Sequence, residues 1–66
     1  MLYAVEVIAD SSEKYVGNGL TFPTLEAAEA YAKDLYARWT AVRSWRVVFF
    51  RGWEKLVAVP ARREAA

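Results

Sequence analysis

The chain predicts an α+β domain of order ββαββ, with one helix packed on a four-stranded antiparallel sheet. Three observations carry that reading. Four stretches, residues 2–9, 15–22, 42–51 and 54–59, hold most of the β-branched and aromatic residues, the types that favour strands. Residues 25–41 are instead strong helix formers with apolar positions three and four apart. Pro23, Gly52 and Pro60 stand at the boundaries between stretches, as residues with fixed or unusual backbone angles do.

Leu2 to Ala9, Leu-Tyr-Ala-Val-Glu-Val-Ile-Ala, forms the first strand, and Asp10 to Lys14 is a polar loop of hairpin length. The second strand runs from about Tyr15 to Phe22. Its Gly17-Asn18-Gly19 marks a bulge or an exposed edge, because glycine weakens a strand interior. Asn18-Gly19 also suits a two-residue hairpin turn. That alternative leaves too few residues before Pro23 to pair with a long first strand, so the first reading is preferred.

Thr24 is placed to cap the helix, and Glu26 and Glu29 lie near the positive end of its dipole. Leu25, Ala28, Tyr31, Ala32, Leu35 and Trp39 fall on one face and form the expected buried stripe. Asp34 and Arg38 are spaced for an ion pair one turn apart, as are Glu29 and Lys33. Val42 to Arg51 is the third strand, Gly52 with Trp53 the turn, and Glu54 to Val59 a fourth strand that Pro60 stops. The chain thus divides into a single domain, 1–60, and a C-terminal tail, 61–66, without repeat, linker or low-complexity segment.

Sixty-six residues bury a small core, and scaffolds of this size lean on disulfides, a metal, dense packing or self-association. Cysteine and histidine are both absent. Disulfides, thiolate and imidazole metal sites, thiol nucleophiles and the commonest general base are excluded together. The serines have no histidine to activate them, and the glycines lack the Lys-Ser/Thr of a phosphate loop. No enzyme and no cofactor are expected. The longest strongly apolar run, Val47 to Phe50, is far too short to span a bilayer, and Glu6 interrupts the N-terminal run that a secretory signal needs. A cytoplasmic protein with no membrane partner is the expectation.

Charge is uneven. Residues 1–34 carry two lysines against six acidic groups, a net of −4, while residues 35–66 carry seven positive groups against two, a net of +5. Residues 38–53, RWTAVRSWRVVFFRGW, contain all three tryptophans, four of six arginines and no acid. This segment is either a surface for something else or the middle of a very small core.

Alternation along the strands bears on that choice. A helix covers one sheet face, and the other turns polar where water meets it. In the third strand both sets, Arg43-Trp45-Val47-Phe49-Arg51 and Val42-Ser44-Arg46-Val48-Phe50, have apolar centres. The first strand sets Tyr3, Val5 and Val7 against Leu2, Ala4 and Ile8. An uncovered apolar face of that kind marks an interaction surface. The candidate binding residues are Arg43, Trp45, Arg46, Phe49, Arg51 and Trp53. Their partner is expected to be a second copy, as a homodimer, or another protein. Single-stranded nucleic acid is the alternative, with bases on aromatic rings and phosphates on arginines. Trp39, and one of Trp45 or Phe50, are expected in the core, since a small interior needs large side chains. A pI near 8.1 and few lysines argue against dedicated nucleic-acid binding.

Over residues 18–48 the residues Asn18, Leu20, Phe22, Thr24, Glu26, Tyr31, Ala32, Asp34, Leu35, Arg38, Trp39, Val42, Arg43 and Arg46 form a pattern. It runs N-x-L-x-F, then T-x-E-x-A-x-x-Y-A-x-D-L-x-x-R-W, then V-R. It resembles a group of short, largely uncharacterised proteins of phages and bacteria. The resemblance implies a phage or mobile-element setting and no particular activity. The aromatic run Phe49-Phe50-Arg51-Gly52-Trp53 departs from it.

Overall fold

The computed structural model describes residues 1–9 and 13–62. Five elements follow in order: β1 (Tyr3–Ala9), β2 (Val16–Phe22), α1 (Leu25–Arg38), β3 (Val42–Arg51) and β4 (Glu54–Arg62). The strands form one antiparallel sheet of order β2-β1-β3-β4, and α1 packs on one of its faces. The expected ββαββ fold is the observed one. Part of the polar loop, residues 10–12, and the end of the tail, residues 63–66, lie outside the described residues.

Each element has a local cause. Thr24 is extended, and its hydroxyl accepts from the Ala27 amide at 3.1 Å, satisfying one of the free N–H groups that open α1. Arg38 Nε donates to Asp34 Oδ2 at 2.7 Å along the exposed side of the helix. The glycine segment of β2 lies at the sheet edge, as expected. The β1–β2 register shifts between Ala4 and Glu6, and Gly19 holds a φ of +82° that side chains resist. Gly52, with φ +64°, opens the two-residue turn between β3 and β4.

Two expectations are corrected. The fourth strand does not stop at Pro60 but continues to Arg62, which pairs opposite Trp45. β4 is an outer strand, where a residue without N–H need not break a ladder. Its pairing with β3 also shifts register between Trp45 and Val47, beside the proline. Trp39, placed in the core by the helical spacing, is the C-terminal cap of α1 and is 43% exposed. The helix ends at Arg38, and Trp39 lies at the rim of the gap between α1 and the sheet, beside Leu35, rather than in the core.

The core lies between α1 and the two central strands. Val5 and Val7 of β1, Val42, Trp45 and Val47 of β3, and Val59 of β4 are buried against Ala28 and Ala32. The two alanines let the helix approach closely, and the Trp45 indole supplies the bulk they lack. Tyr3, Phe22, Leu25, Tyr31 and Leu35 seal the edges, with Phe22 and Tyr31 in ring contact at 5.1 Å.

Candidate binding surface

Register decides which side chains face away from α1. Residues directly opposite across an antiparallel pair share a face. Tyr3 with Phe49, Val5 with Val47 and Val7 with Trp45 stand on the helix side. Ala4 with Val48, Glu6 with Arg46 and Ile8 with Ser44 therefore stand on the open side, joined from β4 by Lys55, opposite Phe50, and Val57, opposite Val48. The Phe50 amide donates to the Leu2 carbonyl at 3.3 Å, which carries the ladder out to Leu2.

The open face has two halves. At one end Leu2, Phe50 and Val57 are 50%, 40% and 50% exposed around Val48, which is wholly buried although it belongs to no helix-side cluster. Ala4, Thr21 and Phe50 also line a shallow cleft of about 250 Å³ toward β2, into which Leu20 faces. The other end is polar. Glu6 Oε1 takes Arg46 Nη2 at 2.7 Å, and Glu6 Oε2 takes Lys55 Nζ at 2.8 Å, so one carboxylate joins three strands. The Arg46 guanidinium lies 4.0 Å from the centre of the Tyr15 ring, and the Tyr15 hydroxyl meets the Ser44 hydroxyl at 3.1 Å. Ser44 is buried, and this bond satisfies it. Burial pushes the Glu6 carboxyl up, but the bonds from Lys55 and Arg46 and their charges outweigh that and hold it below the usual carboxylate range.

The six residues singled out by sequence do not share a surface. Trp45 is wholly buried beneath α1, and Phe49 is half-buried on the helix side against Tyr3, with ring centres 6.1 Å apart. Neither ring is presented on the open face, because their strand positions alternate toward the helix. Arg46 is on the open face, paired to Glu6. Arg43 is exposed near the start of β3. Arg51 and Trp53 are exposed at the β3–β4 hairpin, where Trp53 is 95% accessible. The sequence reading missed Leu2, Phe50 and Val57 as the apolar patch, and Tyr15, Glu6 and Lys55 as its polar border. A signal existed in β1, where Glu6 is the one charged residue of the strand and charge marks the face that meets water; in β3 the arginines fall in both alternating sets.

Both sheet edges carry features that discourage strand addition. β2 has its glycine bulge, and β4 has Lys55, Pro60 and two shifts of register. No family model, curated protein or solved structure matches the chain. No helix among the described residues is long and apolar enough to cross a membrane.

Proposed function

We propose that the protein is a non-enzymatic binding protein that works through the open sheet face, and that its first partner is a second copy packed face to face. The observation that carries this is the patch of Leu2, Phe50 and Val57, exposed together on the face opposite α1. The longer extents of the molecule, 34 and 22 Å, bound the whole face at on the order of 700 Å², and the apolar patch is about half of it, which suits a concentration-dependent contact smaller than the roughly 800 Å² per partner of a standard interface. The guarded edges favour stacking over strand exchange, and two such faces meet about 10 Å apart in sheet packing. Trp53, at the hairpin tip, adds a large anchor at the rim.

The nucleic-acid alternative draws less support. Arg46 and Lys55 are engaged by Glu6, and one face of the Tyr15 ring is covered by Arg46. A strand of phosphates would have to compete for both cations. A phage or mobile-element setting, as the resemblance implies, suits a small accessory protein that acts by contact alone.

The double substitution Phe50→Glu with Val57→Glu tests the proposal by chemical cross-linking of dilute protein. Both side chains are about half exposed at the outer face, outside the core beneath α1, so the fold should survive, as circular dichroism would report. Loss of the cross-linked dimer with the fold intact supports the open face as the contact. Unchanged cross-linking assigns the contact elsewhere and overturns the proposal.

A further inference from the structure

Three rows of the open face set unlike residues side by side on the two central strands: Leu2 beside Phe50, Ala4 opposite Val48, and Glu6 opposite Arg46. These rows restrict how a second copy can lie on the face. Two copies that share one contact face are related by a two-fold axis, which lies in the plane between the faces. Aligned packing of the sheets leaves that axis two directions, along the strands or across them.

An axis along the strands, passing between β1 and β3, keeps every row at its own height and lays β1 of one copy over β3 of the other. Leu2 then meets the partner's Phe50, Ala4 meets the partner's Val48, and Glu6 meets the partner's Arg46. Apolar rows land on apolar rows, and each carboxylate lands on a guanidinium. A carboxylate has room for about four hydrogen bonds. Glu6, held by Arg46 and Lys55 of its own copy, can therefore accept another. The same rotation carries β4 over β2 and sets Val57 above the shallow cleft beside Ala4 and Thr21, with which it shares a row. The surplus positive charge of each cluster sits on Lys55, whose side chain is 47% exposed and open to screening by salt.

An axis across the strands fails on the same rows. Placed at the middle of the face, it presses each Glu6–Arg46 pair onto the partner's Ala4 and Val48, which removes water from the charges and returns no bond. Placed at the apolar patch, it carries the charged halves past each other, where they meet nothing.

We propose that the dimer has its two-fold axis along the strands, between β1 and β3, with the Glu6 carboxylate of each copy bonded to the partner's Arg46. This rests on the face-to-face contact proposed above and adds its symmetry and its polar contact.

The test is a pair of distances between spin labels, measured by pulsed electron paramagnetic resonance. The chain has no cysteine, so Arg43→Cys or Arg51→Cys carries one label per copy. Both arginines are exposed, near opposite ends of β3, and neither belongs to the rows in contact. With the axis along the strands, each label lies within about 20 Å of its own copy, given sheets about 10 Å and strands about 4.8 Å apart. With the axis across the strands at the apolar patch, position 51 stays near its copy but position 43 moves to about 40 Å, at roughly 3.3 Å per residue. At the middle of the face both lie at about 28 Å. In a protein of dimer mass, short distances at both positions support the axis along the strands. A distance beyond about 25 Å at position 43 overturns it and leaves the face-to-face contact standing. A wild type of monomer mass overturns the contact itself, and this symmetry with it.

Discussion

Glu6 and Arg46 stand directly opposite each other in the β1–β3 register, and their side chains meet at 2.7 Å on the face away from the helix. Lys55 closes on the same carboxylate from β4, and Tyr15 lies against the Arg46 guanidinium from the start of the β2 arm. A single glutamate thus ties three strands across a face that has no helix to cover it. The network pairs the polar half of that face internally, while Leu2, Phe50 and Val57 of the apolar half stay exposed.

Glu6→Gln should lower stability by about 1–2 kcal/mol at neutral pH, the worth of charged hydrogen bonds discounted for the exposure of Lys55. The Glu6 carboxyl is held below its ordinary value in the fold. Its contribution is therefore present above the unfolded glutamate value of about 4.3 and is lost as pH falls through the lower native value. Urea midpoints of the wild type and the variant, measured on either side of that window, should converge in acid.

The tryptophans should separate sharply. Trp45→Ala removes the largest wholly buried side chain and should cost about 3–5 kcal/mol, enough to unfold so small a domain. Trp53→Ala should change the stability of the folded monomer by no more than about 0.5 kcal/mol and weaken self-association instead. Thermal melts alongside cross-linking report both.

Backbone requirements give a third expectation. Gly52 adopts φ +64° in the β3–β4 turn with open space where a Cβ would sit, so Gly52→Ala meets conformational strain and no clash. The expected loss is about 1–2 kcal/mol. Thr24→Ala, which removes the hydroxyl bonded to the Ala27 amide, should cost about 1 kcal/mol. Chemical denaturation of the two variants checks both figures.

The fold was largely legible because each element carried its own local signal. Thr24 capped a run of helix formers, Gly52 demanded a turn, and Gly17-Asn18-Gly19 announced an edge strand. The candidate surface was legible only in part. Two-sided apolar character in β3 correctly pointed to an open apolar face, but the choice of Trp45 and Phe49 for it was inverted. A strand's alternation gives two sets without saying which meets the helix; the β1–β3 register, with Val5 and Val7 under Ala28 and Ala32, decides it. Val48 shows the limit from the other side: it is wholly buried on the open face, so burial alone does not identify the helix side. The Glu6–Lys55 pair spans 49 residues, and no local pattern reaches that far. β4 outran Pro60 because an edge position tolerates what a central strand does not.

The central claim, that the apolar half of the open face is covered by a second copy, is tested most directly by the solution mass from light scattering over a wide range of concentrations. The account predicts a mass twice that of the 7.5 kDa chain, falling to the monomer on dilution and in the Phe50→Glu, Val57→Glu protein. A folded wild type that stays monomeric at every concentration would contradict it.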